Sequence, residues 1–165
     1  EIIKIPNAMN ENMNADMNMA AAAVEIRELH AFFVTWFTGR DENSETVFRA
    51  NFDARFADGF QLVEPSGRLL GLGDLRGSVL GGHGASPDFR IASRNVIPRP
   101  VSADHILATY EEWQIGATNS TPPDNGRAAT VLFRLNDDAP NGLLWCHVHE
   151  TWLPSNVMAA GPYDF

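Results

Sequence analysis

Four strand patterns follow one another in the second half of the chain and restrict its fold more than any other feature. They cover roughly residues 88–101, 104–116, 127–136 and 143–153. The links between them are short and rich in Pro, Gly, Asn and Asp, which favours hairpin turns. Clear helical patterns lie only before these strands. Helices followed by consecutive strands predict an α+β fold with an antiparallel sheet.

The first half of the chain carries the helical patterns. From about residue 20, apolar residues recur three or four positions apart, up to Gly39, a residue type that commonly ends helices. Ser44 is suited to cap a second helix, and Asp74 to cap a brief third one. A short strand at 60–64 lies between those two helices. These elements would supply one layer to pack against the sheet.

The length of the chain, 165 residues, suits one domain with a substantial core. Residues 1–18 are rich in Asn and Met, and the Met residues recur at a spacing close to helical, which could form a docking stripe. We expect them to form a disordered segment or an extension. Residues 19–165 are then predicted to form a single domain.

Composition argues against several classes of function. Lys and Arg total 12 against 21 Asp and Glu, which gives a net charge of −9 without a basic run. We therefore expect no binding to nucleic acid or to an anionic membrane surface. The single cysteine, Cys146, leaves no intrachain disulfide and no cysteine-based zinc site. Because we see neither a signal peptide nor an apolar run long enough to cross a bilayer, we expect a cytoplasmic protein.

Alternation along each strand indicates which side chains face the core. Within residues 127–136 one face is wholly apolar, and it is predicted to point inward: Ala129, Val131, Phe133 and Leu135. Within residues 104–116 the bulkier set is predicted to point inward: Leu107, Thr109, Glu111, Trp113 and Ile115. In the last strand both faces mix apolar and ionisable groups. Composition alone leaves its inner face open.

Two short motifs carry a family resemblance. Residues 62–67 read Leu-Val-Glu-Pro-Ser-Gly, with Gly71 after them, and residues 147–151 read His-Val-His-Glu-Thr. With the order of elements, they resemble the nuclear transport factor 2-like superfamily, particularly SnoaL-like proteins and the association domain of calcium/calmodulin-dependent kinase II. The resemblance covers about residues 24–154. It implies a cone-shaped, cystatin-like α+β fold, in which a curved mixed or antiparallel sheet wraps an N-terminal helix.

The resemblance also implies positions for functional side chains. Glu150 matches a position that faces the cavity in the kinase association domain, where the residue is basic. The inner face of the last strand would then carry Leu144, Cys146, Val148, Glu150 and Trp152. His147 and His149 would lie on the outer face, which implies a homodimer through that face. Glu64 matches the catalytic acidic base of ketosteroid isomerase relatives, although their pair of oxyanion donors has no convincing counterpart here.

These positions define a predicted pocket for a small hydrophobic ligand. Its candidate catalytic residues are Glu64, Glu111 and Glu150, because burial in an apolar cavity raises the pKa of a carboxyl group towards that of a general base. The predicted lining consists of Phe33, Trp36, Phe60, Leu62, Trp113, Val131, Phe133, Val148 and Trp152. The alternative is an ion pair between each carboxylate and an arginine. The candidate partners are Arg55, Arg68 and Arg94.

Two functions follow from this pocket. The first is a cofactor-free isomerase, cyclase or dehydratase of the SnoaL-like type, with Glu64 as the general base. The alternative is a non-enzymatic ligand-binding or oligomerisation module that resembles the kinase association domain. His147 and His149 have a spacing that can chelate a divalent metal, but the sequence offers no obvious third ligand. We therefore predict neither a metal site nor a cofactor.

Overall fold

The computed structural model describes residues 7–165. Their helices and strands are, in chain order, α1 (Asn7–Phe37), α2 (Glu45–Asn51), β1 (Phe56–Val63), β2 (Leu69–Gly71), α3 (Leu72–Gly81), β3 (Arg90–Pro100), β4 (His105–Ile115), β5 (Asn125–Leu135), β6 (Leu143–Trp152) and α4 (Ser155–Ala160). Single 3-10 turns precede β1 and β6. No helix within this described part is both long and apolar enough to cross a membrane.

The strands of the described residues form one mixed sheet in the order β2-β1-β6-β5-β4-β3. Strand β1 runs parallel to β6, and the other neighbours are antiparallel. The sheet is open, and α1 packs across its inner face. This arrangement confirms the predicted α+β fold with a mixed sheet around an N-terminal helix.

Helix α1 supplies the central stripe of the core. Ala22, Ile26, Leu29 and Trp36 follow a helical spacing and are at most 2% exposed. The helix ends before Gly39, whose φ of +72° is a conformation that glycine adopts at little cost. Residues 7–18, which we expected to belong to a disordered segment or an extension, are the first turns of α1. Residues 1–6 of that predicted segment lie outside the described residues.

The inner face of β4 is the opposite of the predicted one. Ile106, Ala108, Tyr110 and Glu112 are buried, whereas Thr109 is exposed. Cross-strand partners share a face of a sheet, and the buried set pairs with Phe133, Val131, Ala129 and Arg127 of β5. The predicted inward set is therefore wrong. Trp113, which belongs to that set, is only 1% exposed because Tyr163 of the C-terminal segment covers it on the outer face.

A bulge divides β6 into two halves with opposite alternation. Leu143 and Trp145 point inward before the bulge, and Val148 and Glu150 point inward after it. The bulge is at Cys146. Leu132 of β5 pairs with His147 and Phe133 pairs with Trp145, which leaves Cys146 without a partner on β5. The prediction that Leu144 and Cys146 face inward is therefore wrong. No single alternation describes the whole strand.

Candidate functional site

The inner face of the sheet, the C-terminal half of α1 and helix α3 enclose a cavity of about 220 Å³. Its wall is partly aromatic and its floor is polar. The aromatic, charged and other residues that line it include Phe33, Phe37, Leu62, Glu64, Phe89, Glu112, Gln114, Arg127 and Glu150. A smaller and more apolar cavity of about 70 Å³ adjoins it towards the core. Phe33, Glu112 and Glu150 line both cavities.

Strand pairing brings the polar groups of the floor together. Glu112 of β4 lies opposite Arg127 of β5. Arg127 in turn pairs with Trp152 of β6, and Glu150 is opposite Ala129 one pleat away. Glu112, Arg127 and Glu150 are each at most 8% exposed. Charged side chains this deeply buried require partners within the fold, and here they provide them for each other.

Arg127 is the centre of the polar floor, and its guanidinium is held in a fixed orientation. Its Nη1 donates to Glu150 Oε2 over 2.9 Å. Its Nη2 donates to Gln114 Oε1 over 3.1 Å and to Asn125 Oδ1 over 3.0 Å. The guanidinium also lies over the ring of Trp152, 5.0 Å from its centroid. Its Nε is buried without a hydrogen bond among the described residues, 3.7 Å from Glu112 Oε1.

His30 of α1 extends this network across the core. Its Nδ1 donates to the carbonyl oxygen of Ile26 over 2.6 Å, and its Nε2 lies 2.9 Å from Glu112 Oε2. Burial raises the pKa of Glu112, but the charge and hydrogen bond of His30 and the charge of Arg127 outweigh this effect and lower that pKa to about 2. Glu112 is thus a carboxylate, and His30 contacts it from the opposite side of the core.

Glu150 has the opposite tendency. Burial and the charge of Glu112 raise its pKa, and together they outweigh the opposing effect of Arg127, so that the pKa is about 7. Only Oε2 of Glu150 accepts a hydrogen bond from a described residue. Glu150 can consequently exchange a proton near neutral pH or accept a hydrogen bond from a molecule in the cavity. Burial, with Glu112 and Glu150 nearby, also raises the pKa of Tyr110 well above its ordinary range.

The three predicted catalytic carboxylates do not converge. Glu150 lies in the polar floor, while Glu64 lies at the rim, where Arg68 Nε donates to it over 2.8 Å. Arg68 was one of the predicted ion-pair partners. Glu111 stands on the outer face of β4 and accepts from Trp113 Nε1 over 3.0 Å. The prediction that Glu111 lines the cavity is wrong, because the register of β4 turns it away.

The predicted lining residues divide into two groups. Phe33 and Leu62 line both cavities, and Phe60 and Val148 line the smaller one. The prediction is wrong for Trp36, Val131 and Phe133, which are fully buried core residues, and for Trp113, which faces outward. Trp152 does not line either cavity but lies behind Arg127 as its aromatic support.

Sequence reasoning missed Glu112, Gln114, Arg127 and His30. Glu112 was assigned to the outer face, since the two faces of β4 differ little in composition. The usable signal was the wholly apolar face of β5. Tyr110 pairs with Ala129 of that face, so the correct register alone would have turned Glu112 inward.

A second buried network lies away from the cavity and has a structural role. Glu25, which is fully buried, accepts from Trp145 Nε1 over 2.9 Å and from Asn141 Nδ2 over 2.7 Å, and it forms an ion pair with Arg55. Both of its oxygens have partners, so no group is left for a ligand. The described residues contain no cluster of three or more His, Cys, Asp or Glu side chains that could hold a metal ion.

Solved structures share this fold. An NTF-2 like protein of unknown function from Pseudomonas aeruginosa superimposes with a TM-score of 0.69 at 26% identity, over 81% of this chain and 99% of that one. An uncharacterised protein with a cystatin-like fold from Caulobacter vibrioides gives 0.59 at 14% identity, over 87% and 94%. The CaMKII hub of S. rosetta gives 0.51 at 11% identity, over 62% and 80%. The predicted nuclear transport factor 2-like fold is confirmed.

The curated relatives of this chain include two sucrose-phosphatases. Sucrose-phosphatase 1 of Nicotiana tabacum is 27% identical over 150 residues, which cover 90% of this chain and 34% of the relative. Sucrose-phosphatase 2 of the same plant is 28% identical over 152 residues, with the same two shares. The chain therefore spans about a third of the length of these relatives.

A family model described as sucrose-6-phosphate phosphohydrolase C-terminal matches residues 22–154. That match and the tobacco relatives fit neither a SnoaL-like isomerase, cyclase or dehydratase nor a module like the kinase association domain. Both predictions of function are wrong, because the fold on which they relied is shared by proteins with unrelated activities. The matched range includes every strand of the sheet and the whole polar floor. This chain belongs to the sucrose-6-phosphate phosphohydrolase C-terminal family.

Proposed function

We propose that this chain serves sucrose-phosphate hydrolysis as a carbohydrate-binding domain, and that its cavity holds the sugar. The family and the sucrose-phosphatases of tobacco supply the class of ligand. The proposal concerns recognition of the sugar, because the chain spans about a third of those relatives. The chemistry of the cavity supports the proposal independently of the family and of the relatives.

The observation that carries the proposal is a floor of planar polar groups beneath an aromatic wall. Glu112, Gln114, Arg127 and Glu150 present carboxylate, amide and guanidinium groups. A sugar offers hydroxyl groups that each donate and accept, and such planar groups match neighbouring hydroxyls in pairs. A purely hydrophobic ligand would cover Glu150 Oε1, which accepts no hydrogen bond from a described residue, without offering it a donor, at a cost. The polar floor thus favours a sugar over the hydrophobic ligand that we predicted.

The aromatic wall complements the apolar C–H faces of a sugar ring. Phe33 and Phe37 stack with ring centroids 5.8 Å apart, and Phe89 meets Phe37 edge to face at 5.3 Å. These rings are held by one another and lose little freedom when a ligand binds. The polar floor is likewise held by its own hydrogen bonds. Such a site pays a small ordering cost on binding.

Calorimetric titration of this chain with sucrose tests the proposal. At pH 8, above the pKa of Glu150, we expect saturable binding, and we expect Glu150→Gln to weaken it roughly tenfold, because the variant replaces a charged acceptor by a neutral one. Glu111→Gln is the matched control, since it makes the same change on the outer face of the same sheet. Its affinity for sucrose should equal that of the unaltered chain.

The two variants also separate binding from folding. Both should retain a cooperative thermal transition, which can be measured on the samples used for titration. The proposal fails if the unaltered chain shows no saturable binding of sucrose. It also fails if Glu150→Gln and Glu111→Gln change the affinity equally, because the polar floor would then have no part in recognition.

A further inference from the structure

We infer that the cavity accepts an unphosphorylated sugar and excludes the corresponding phosphate ester. The inference rests on the proposed function and specifies which form of the sugar is bound. It comes from the charges that surround the cavity and from the hydrogen bonds that already occupy its single guanidinium. Three separate features of the described residues each disfavour the binding of a phosphate group.

The first feature is the direction of the two helices that reach the cavity. Helix α1 contributes Phe33 and Phe37 from its last two turns, and α3 contributes Leu75, Ser78 and Val79 together with Gly82, which follows its last residue. The lining therefore includes the C-terminal end of each helix, which carries partial negative charge. Phosphate sites are typically built from helix N-termini, where backbone N–H groups and the dipole favour an anion. At the C-terminal ends of α1 and α3 the polarity is the opposite.

The second feature is the balance of charged side chains in the lining. Glu64, Glu112 and Glu150 contribute three carboxyl groups to the lining, against one guanidinium from Arg127. Outside the lining, Arg68 pairs with Glu64 at the rim and His30 contacts Glu112 behind the floor. A phosphate monoester would bring close to two further negative charges into a space of reduced dielectric, where repulsion is stronger than in water. A neutral sugar does not meet that repulsion, and its hydroxyl groups can donate to the same carboxylates.

The third feature is the engagement of Arg127. Arginine binds phosphate through a free fork of parallel N–H donors. Here Nη1 donates to Glu150, and Nη2 donates to both Gln114 and Asn125. The remaining Nε is buried and directed towards Glu112 at 3.7 Å. A phosphate could reach this guanidinium only by displacing acceptors that are themselves buried and would lose their donors.

These features assign the cavity to the product side of phosphate ester hydrolysis. The ester loses its phosphate, and the sugar that is released carries no charge. A cavity of this polarity would hold that released sugar and leave the ester for a site with the opposite charge. The chain would thereby report or retain the product.

Parallel titrations with sucrose and with sucrose 6-phosphate test the inference. At pH 8 and low ionic strength we expect sucrose to bind at least tenfold more tightly than the ester. Added salt should narrow this ratio, because the exclusion is electrostatic and salt screens it. A size restriction would give a ratio that does not respond to salt.

The variant Glu64→Gln tests whether the charge of the lining excludes the phosphate ester. The variant removes one carboxylate from the rim and releases Arg68 from its ion pair. The affinity for the ester relative to sucrose should then rise several-fold. Glu111→Gln again serves as the control, and its ratio should equal that of the unaltered chain.

The outcomes separate the inference from the proposed function. Binding of the ester with equal or greater affinity overturns the inference and leaves carbohydrate binding in place. A salt-independent ratio, or a Glu64→Gln variant with an unchanged ratio, overturns the electrostatic cause. Absence of binding by both compounds overturns the proposed function, and the inference with it.

Discussion

Burial and the nearby charge of Glu112 raise the pKa of Glu150 to about 7, while Arg127 acts in the opposite direction with less effect. Between its ordinary value of 4.5 and about 7, Glu150 keeps a proton in the folded chain that it has lost in the unfolded chain. The unfolded state then binds fewer protons, so the contribution of Glu150 to stability falls as the pH rises through this range. Glu112 has the opposite effect, because its pKa is lowered to about 2: its contribution to stability rises as the pH rises from about 2 to 4.5.

The pH dependence of unfolding should reveal this effect. For the unaltered chain, Glu150 should lower the free energy of unfolding by about 1–3 kcal/mol between pH 5 and pH 8. The groups that face it are His30, Tyr110, Glu112 and Arg127, and they remain in the Glu150→Gln variant. Urea denaturation at both pH values should show a smaller fall in that variant, because Gln does not titrate in this range.

A matched control isolates the buried position. Glu111→Gln removes a carboxyl group from the outer face and should reproduce the pH profile of the unaltered chain. Parallel profiles for the unaltered chain and for Glu150→Gln would contradict the prediction. They would mean that Glu150 ionises in the folded chain as it does in the unfolded one.

At the level of single residues, sequence reasoning found the groups that a local motif marks and missed those that depend on distant partners. Glu150 was placed through a motif of five residues. Glu112 was missed because its partner His30 lies 82 positions away, and Arg127 because its pairing depends on register. Glu25 was missed for the same reason, since Trp145, which donates to it, lies 120 positions away.

Among the elements, α1 and the residue that follows α3 meet at the aromatic wall, where Gly82 lies against Phe37. A methyl group at Gly82 would lie 2.7 Å from Cε1 of Phe37, closer than real side-chain atoms approach. Gly82 has a φ of −86°, so its importance is the space it leaves rather than its backbone conformation. The Phe37 ring can stay in the cavity wall only while residue 82 lacks a side chain.

Gly82→Ala should therefore destabilise the chain by about 1–3 kcal/mol, because overpacking forces the ring of Phe37 to move. It should also weaken sucrose binding, since that ring forms part of the proposed site. Chemical denaturation and titration of the same sample measure both effects.

Gly77→Ala, within the helix that Gly82 follows, is the control. A methyl group at Gly77 meets nothing within 4 Å, so the variant should gain up to about 1 kcal/mol from helix propensity and keep its affinity. Equal effects of the two substitutions would contradict the role assigned to Gly82.

Sequence patterns predicted correctly the features that neighbouring residues stabilise. They failed for features that depend on distant strands. Ser44 was expected to cap a helix, and its side chain does accept from the backbone N–H of Val47. The faces of β4 and β6 required information from other strands. The bulge at Cys146 adds one residue to the pairing of β6, and its local sequence has no Gly or Pro to mark it.

At the scale of the whole molecule, the predicted homodimer through the outer sheet face stays a prediction, and the register now defines where it would form. Leu107, Leu132 and His147 make a row across β4, β5 and β6 on that face. All three are partly exposed in the single chain. The net charge of −9 opposes self-association unless the contacting faces are apolar or uncharged, and this row has no acidic residue.

Leu132→Arg places a charge at the centre of that row and should convert a dimer into a monomer, because an unpaired charge would be buried when two copies meet. Sedimentation velocity over a range of concentrations measures the change. Ala50→Arg adds the same charge on an exposed position of α2 and should leave the dimer intact. A monomeric unaltered chain, or dissociation by both variants, would contradict the prediction. Because the cavity opens on the opposite face of the sheet, the monomer formed by Leu132→Arg should still bind sucrose.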